Sequence, residues 1–509
     1  MVTNTEIFLG SYAHLTFVPE VDLYIKKTTA ETPLNVITLH ANLSDLIHLV
    51  DDLYIGCIID RYAADGTFEE SHMITDNDST TITFSPSVTV LAADDYFIIK
   101  SYGAPCFGEK SSSTVRLNAD NWLGLIESAT FPNIETELKQ VNLQLGGSRN
   151  WSHQYKGIRT SSGGNIGVIS NHGAWLYYAF GQCTNVNCSF IGYPPASDFI
   201  GDAVNLVYID SNNAGPIFYR SGRTNKTMLP PALKGSDLYT NLEQVIRTTC
   251  DATSVTNAIT YTFEELNTAN LPSFALEQTF AKSNTLTTET GSASESHTFV
   301  RIARGNRVAS LTMTANENEE LKMTMDLNTR IVDKLKQGQN YEARGGQATN
   351  TSLFNFASSS AAELLEPFFF SGGSFSIYGE EFLKITNFTL TITNDLQDKR
   401  FIGTGSKNIK EAIPAQRSYE ISFTALVTDD KLFEETFTET ETDDTTATLI
   451  SLQFDKANEE QIVLKFQDYH IESSNWTVPD DKGPITVEAM VKPRNLKTCT
   501  VKTHWVLQG

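Results

Sequence analysis

Cysteine is scarce in this 509-residue chain, and its spacing excludes a disulfide framework. The six cysteines lie at positions 57, 106, 183, 188, 250 and 499. Cys183 and Cys188 have a C-x4-C spacing that could supply half of a metal site, but no second Cys or His pair stands at a matching distance. The sequence therefore favours free thiols and predicts neither a metal site nor a cofactor.

Long hydrophobic runs are missing as well. No apolar run approaches the roughly 18 residues that a bilayer-spanning segment needs. The first ten residues, MVTNTEIFLG, have neither the basic start nor the apolar core of a secretion signal. We therefore expect a soluble protein that is made in the cytoplasm.

Basic residues are outnumbered by acidic ones, 38 to 61, which gives a formal net charge of −23. Wrapping DNA on the protein surface depends on Lys and Arg that displace counterions from phosphates, so this function is disfavoured. Two interpretations remain. The acidity either serves solubility alone, or it forms a negative wall past which DNA slides.

Sequence signatures of enzymes are also lacking. The chain contains no G-x-S-x-G, no H-E-x-x-H, no G-x-x-x-x-G-K and no C-x-x-C motif. Its nine histidines are scattered, and pairs of carboxylates occur by chance in any acidic protein of this length. The sequence predicts no catalytic residue and no enzyme activity.

What the chain does contain is a succession of β patterns long enough for roughly two to four domains. The fold class predicted is mainly β: a β-sandwich with a short flanking helix, a small N-terminal β domain and an inserted segment. The predicted boundaries are 1–110 for an N-terminal β-sandwich or barrel, 111–183 for the first part of the sandwich, 184–257 for the insertion, and 258–509 for the second part.

Short strands separated by turns mark the N-terminal segment. They are indicated by LYIGCIIDRY (53–62), TTITFSP (80–86) and YFIIKSYG (96–103). Residues 41–50 fit either a helix or a strand. The turn-rich, polar stretch from Gly103 onward predicts the boundary.

Glycine pairs organise the next segment. The pairs at 146–147 and 163–164 lie between alternating stretches and predict hairpins, because glycine accepts the positive φ of tight turns. Strands are expected before the first pair, over 151–158 and from Asn165. A short buried helix or strand is expected at 175–180.

The insertion at 184–257 is rich in Asn, Pro and Gly, and we expect little regular structure in it beyond a short helix near 236–249.

The clearest patterns lie in the second half of the chain. Strict alternation puts four apolar side chains on one face of a strand: Leu321, Met323, Met325 and Leu327. Its predicted partner is 307–315, joined through the acidic turn NENEE (316–320). A second pair is predicted from two further apolar series: Phe388, Leu390 and Ile392, then Tyr419, Ile421, Phe423 and Ala425.

A long loop, 395–417, is expected between the strands of this second pair. Thr428 is expected to cap a short helix whose first turn carries Asp429 and Asp430. Three strands should follow, with apolar faces formed by Ile450, Leu452 and Phe454; by Ile462, Leu464 and Phe466; and by Ile485, Val487, Ala489 and Val491.

This order of elements resembles the bacteriophage tail tube protein (major tail protein) family. The likeness is carried by ITYTFEELNTANLPSFALEQTFAK (259–282), RIARGNRVASLTMTANENEELKMTMDLNTR (301–330) and the stretch LKITNFTLTITNDLQDKRFIGTGSKNIKEAIPAQRSYEISFTALVTDDKLFEETF (383–437). It covers about 115–183 and 258–500. The N-terminal unit and the insertion exceed a minimal tube subunit.

The resemblance implies a structural protein of the virion tail, assembled in the host cytoplasm. Six copies would close into a ring, and stacked rings would form a hollow tube that conducts DNA from capsid to host. Partners would be other copies, other tail proteins such as a sheath, baseplate or terminator, and DNA in transient, non-specific passage, with no membrane. The acidic candidates for the tube lining are Glu317, Glu319, Glu320, Glu380 and Glu381, which solvated turns would explain equally.

Two other functional classes stay open at this point. One is a different β-rich virion part, such as a baseplate or fibre protein. The other is a carbohydrate- or receptor-binding module, suggested by the aromatic residues Trp151, Tyr155, Trp175 and Trp476. Aromatic residues more often fill sandwich cores.

Overall fold

The computed structural model describes the chain in segments. These are residues 14–20, 23–26, 35–38, 57–63, 68–77, 81–88, 96–99, 108–111, 114–117, 125–141, 153–173, 175–186, 206–208, 217–218, 259–267, 270–281, 298–334, 366–377, 380–381, 384–401, 408–428, 450–456, 460–480 and 482–503. The predicted helices at 236–249 and after Thr428, the undecided stretch 41–50 and Trp151 lie outside them.

The first half of the chain is built mainly of short strands. They are β1 (His14–Glu20), β2 (Leu23–Lys26), β3 (Val36–Thr38), β4 (Ile58–Tyr62), β5 (Phe68–Asn77), β6 (Thr81–Ser85), β7 (Tyr96–Ile99), β8 (Gly108–Ser111), β9 (Thr114–Leu117), β10 (Leu125–Thr130), β11 (Asn133–Val141), β12 (His153–Ser162), β13 (Asn165–Ile169), β14 (Gly181–Val186), β15 (Leu206–Tyr208) and β16 (Ile217–Phe218). One helix, α1 (Trp175–Phe180), precedes β14.

The second half contains the longest strands. They are β17 (Ile259–Glu265), β18 (Ser273–Ala281), β19 (Thr298–Asn316), β20 (Lys322–Lys334), β21 (Gly373–Ile377), β22 (Glu380–Glu381), β23 (Ile385–Thr393), β24 (Leu396–Lys399), β25 (Glu411–Pro414), β26 (Ser418–Leu426), β27 (Ile450–Asp455), β28 (Gln461–Thr477) and β29 (Thr486–Thr503). A short 3-10 turn covers Phe370–Gly372.

A sheet of fifteen strands dominates the molecule. Its main path runs β10-β13-β20-β19-β23-β26-β29-β28-β27-β21-β22, with β1, β14, β17 and β18 attached beside it. The long strands β28 and β29 pair along nearly their whole length. They therefore link the part of the sheet around β26 to the part around β27 and β17.

The core is continuous across this large sheet. Alternating residues supply it, including the predicted apolar faces of β20, β23, β26, β27, β28 and most of β29. Helix α1 is buried at all six residues, and its Trp175 and Tyr178 pack against Phe274 of β18. The prediction of a mainly β fold with a sandwich core and a short helix is confirmed.

A second sheet of eight strands has the order β16-β15-β2-β7-β4-β5-β6-β3. It contains most strands of the N-terminal segment, together with β15 and β16 from the predicted insertion, and β15 lies parallel to β2. Strand β1 instead joins the large sheet by pairing with β18. The predicted division into domains stays a prediction, and sheet membership crosses its sequence boundaries.

Two local predictions were wrong. The 163–164 glycine pair has positive φ, as expected, but it does not close a hairpin: β12 pairs with β11, whereas β13 pairs with β10 and β20. The carbonyl oxygen of Gly164 accepts a 3.0 Å hydrogen bond from the backbone N–H of Leu327, where the chain passes from one sheet to the other. The predicted loop 395–417 contains a small hairpin of β24 and β25.

Candidate assembly surfaces

One face of the large sheet presents hydroxyl groups. Cross-strand pairing aligns Thr324 with Thr312, and Thr312 with Thr391. In the two adjacent rows, Thr393 lies between Ser310 and Ser418, and Thr389 lies between Thr314 and Ser422. We call this surface the hydroxyl face, defined by Ser310, Thr312, Thr314, Thr324, Thr389, Thr391, Thr393, Ser418 and Ser422.

The hydroxyl face results from the same alternation that builds the core. Because successive side chains of a strand point to opposite sides, the burial of Met323 and Met325 directs Thr324 outward. Its threonines are only partly buried within the chain. A sheet with one packed and one wet face is the usual arrangement for antiparallel strands.

Charged side chains stand among the hydroxyl groups at three positions: Asp326 opposite Ser310, Lys322 opposite Thr314, and Glu420 opposite Thr391. Asp326 accepts hydrogen bonds from Asn165 Nδ2 at 2.7 Å and from Ser310 Oγ at 2.8 Å. Lys322 Nζ lies 2.8 Å from Glu127 Oε1, and this hydrogen bond raises the pKa of the lysine, with Glu319 and Glu320 adding to the effect. The ammonium group of Lys322 is therefore surrounded by carboxylates.

The predicted acidic residues fall in two places. Glu317, Glu319 and Glu320 occupy the turn that joins β19 to β20, next to the Lys322 end of the hydroxyl face, with Glu317 and Glu319 exposed. Asn316 Nδ2 donates to Glu319 Oε2 at 2.8 Å and orders the turn. Glu380 and Glu381 form β22, which pairs with β21 at one end of the sheet path.

The hairpin of β11 and β12 is an exposed arm that sequence reasoning identified only as a pair of strands. Leu138, Tyr155 and Ile158 are about half exposed. The base of the arm is attached through Arg159, whose carbonyl oxygen accepts a 2.6 Å hydrogen bond from Arg400. Exposed apolar side chains on a two-stranded arm are typical of a surface that contacts another protein.

Of the four aromatic residues that suggested carbohydrate binding, the three that the structure describes do not form a shared site. Trp175 is buried in the core, and Trp476 packs partly against it. Tyr155 is exposed on the arm. Among the described residues there is no group of three or more His, Cys, Asp or Glu side chains that could hold a metal ion.

No helix within the described segments is both long and apolar enough to cross a membrane.

A model of the phage tail tube protein family matches residues 118–489, well over half of the chain. The chain belongs to the phage tail tube protein family. The match includes the hydroxyl face, the acidic turn, the arm and α1. Comparison with curated proteins gives no match. Tail tube proteins are structural, so this chain is a structural protein of the phage tail.

Proposed function

We propose that this tail tube protein closes into rings of six copies, and that the rings stack into a hollow tube that conducts DNA from the capsid to the host during ejection. The hydroxyl face is the observation that carries the proposal. It is a broad polar wall on a sheet whose other face is packed, and serine and threonine make up most of its side chains, with the carboxylates of Asp326 and Glu420 among them.

A wall of hydroxyl groups suits a DNA conduit for a physical reason. Threonine and serine exchange hydrogen bonds readily with water and carry no fixed positive charge. Phosphates adhere to proteins chiefly through Lys and Arg, which release condensed counterions. Lys322, opposite Thr314 on this face, is bound to Glu127, so DNA and its counterions would slide past with little friction.

The acidic turn strengthens this effect at the rim of the bore. We place Glu317, Glu319 and Glu320 there, where their charges repel phosphates. Glu380 and Glu381, which form β22, are proposed as a second acidic contribution to the lining.

The remaining surfaces have roles outside the bore. Mass inside the channel would obstruct DNA, so the eight-stranded sheet and the 184–257 segment are placed on the outer surface of the tube, where they are available to a sheath or other tail proteins. The exposed arm of β11 and β12 is assigned to contacts between successive rings.

Polymerisation of the purified chain tests the proposal. Light scattering should rise with time above a critical concentration, and negative-stain electron microscopy should show cylinders with a regular axial repeat. A rod-like trimer would indicate a fibre protein. A chain that stays monomeric at every concentration would refute the tube.

A further inference from the structure

One apolar row crosses eight strands of the large sheet. Consecutive members are paired across each strand boundary. In order, the row is Ile126, Val168, Met323, Met313, Leu390, Ile421, Val491 and Ile471.

The two ends of this row differ from its middle. The six inner residues are at most 2% exposed, whereas Ile126 on β10 is 38% exposed. Ile471 on β28 is partly buried against the core. The row therefore ends in an isoleucine at each side of the sheet, and one of them is left uncovered by its own chain.

Both end strands have an open edge within the described part of the chain. Strand β10 pairs with β13 alone, and residues 470–473 of β28 pair with β29 alone, since β27 reaches only as far as Phe466. Open edges invite pairing with another chain, and proteins usually protect them. Here they lie at opposite ends of the stretch of the sheet that runs from β10 to β28.

The directions of β10 and β28 also allow these two strands to pair between neighbouring copies. Every neighbouring pair from β10 to β28 is antiparallel. The stretch from β10 to β28 has eight strands, an even number, so its first and last strands run in opposite directions. Copies related by rotation about a ring axis keep the same orientation, so the last strand of one would meet the first strand of the next in antiparallel fashion.

We propose that the 470–473 edge of β28 in one copy pairs with β10 of the next copy, so that Ile471 meets the neighbour's Ile126 and the apolar row continues around the ring. This junction covers the exposed isoleucine and removes both open edges in one step. It is a head-to-tail contact, which can close only as a ring of several copies. The inference rests on the proposed tube assembly and specifies its joint.

Disulfide trapping tests the junction directly. Facing residues in an antiparallel pair have Cβ atoms about 4.5–5.5 Å apart, close to the distance that a disulfide spans. Oxidation of the assembled I126C/I471C double variant should give a series of disulfide-linked multimers on a non-reducing gel. A mixture of the two single variants should stop at dimers, and each single variant alone should match the oxidised wild-type chain.

The outcomes separate this inference from the tube proposal. Rings that form but give no series of disulfide-linked multimers overturn the β10–β28 junction and leave the tube intact. Dimers from I471C alone indicate a two-fold contact and also overturn it. Failure of the wild-type chain to form any ring refutes the tube, and the junction with it.

A matched pair of charge variants adds a second measurement. Ile413 on β25 is also 38% exposed but lies outside the eight-strand path. A buried, unpaired carboxylate is costly, so Ile126→Asp should raise the critical concentration for assembly by at least about tenfold. Ile413→Asp should leave it within about twofold. Equal effects of the two variants would contradict the junction.

Discussion

Arg417 Nε donates a 2.8 Å hydrogen bond to the side-chain oxygen of Asn394. The amide nitrogen of Asn394 in turn donates to the carbonyl oxygens of Ala179 and Val308, each at 3.0 Å. Asn394 is 1% exposed, so one buried side chain links the end of α1 to β19. The bonds fix the helix against the large sheet.

Removal of this amide should therefore destabilise the chain. We expect Asn394→Ala to lower the free energy of unfolding by about 1–3 kcal/mol, because it leaves buried carbonyl groups without a donor. The urea midpoint measures the change. Asn316→Ala is the control, since Asn316 is exposed in the acidic turn, and it should change stability by less than about 0.5 kcal/mol. Equal midpoints for the two variants would contradict the role of Asn394.

Gly181 should tolerate no side chain. Its φ is +99°, and an added Cβ would lie 2.8 Å from Leu266 Cβ and 2.9 Å from Leu271 Cδ2. Gly181→Ala is expected to cost more than about 1 kcal/mol of unfolding free energy. Gly163→Asn should cost less, because asparagine adopts positive φ more readily and Gly163 is exposed. Thermal unfolding of both variants compares them.

His172 should make stability depend on pH. Burial, with a contribution from Lys456, lowers the pKa of His172 from 6.5 to about 3. Between about pH 6.5 and 3 the unfolded chain therefore binds a proton at this histidine, whereas the folded chain does not. The free energy of unfolding consequently decreases as the pH falls from about 6.5 toward about 3. Between pH 6 and 4 the wild type should lose up to about 2–3 kcal/mol more than His172→Gln.

The control for this pH dependence is His470, which is exposed on β28. Urea midpoints of His470→Gln should follow the wild-type slope between pH 6 and 4. A His172→Gln variant with the wild-type slope would show that this histidine is not the titrating group.

Charge reversal at the acidic turn tests the proposed lining. The triple variant Glu317→Lys/Glu319→Lys/Glu320→Lys should still assemble, because the turn is held by backbone hydrogen bonds to Thr386 and Phe370 that the substitutions keep. Phage carrying it should eject DNA more slowly, since lysines bind phosphates. Ejection is measured as DNA released per unit time after receptor triggering. Glu69→Lys/Asp76→Lys on β5 is the control and should eject normally. Unchanged ejection in the triple variant would argue against the acidic rim.

The arm of β11 and β12 should act on stacking rather than on ring closure. Leu138→Ser/Ile158→Ser removes exposed apolar surface, so rings should persist while tubes become shorter in electron micrographs. Val478→Ser, at the tip beyond β28, serves as the control for loss of an exposed apolar residue. Tubes of normal length in the double variant would show that the arm does not contribute to contacts between stacked rings.

Alternation predicted the strands that are packed on one side only. The faces of Met323 and Leu390 could be assigned from sequence because side chains alternate along a strand. When one face is buried and the other is wet, only one of the two alternating sets is apolar, and that set must face the core. The same reasoning located the partners of β20 and β23, since each is close in sequence. The resemblance to tail tube proteins, which was based on segments 259–282, 301–330 and 383–437, is confirmed by the match to the family model.

What the sequence did not reveal is long-range pairing. Strand β1 pairs with β18 some 250 residues away, and no local pattern identifies such a partner. The 470–473 part of β28 was missed for a different reason: beyond Phe466 no residue of the strand is fully buried, so its alternation is weak. The hydroxyl face was visible only as scattered threonines until the register aligned them in rows.

Cryo-electron microscopy of the assembled protein, averaged along the tube axis, shows whether the copies enclose a channel. We expect a closed ring of six copies around an open bore, with Thr312, Thr324 and Thr391 facing that bore. A compact monomer, or an assembly whose centre is filled by protein, would contradict it.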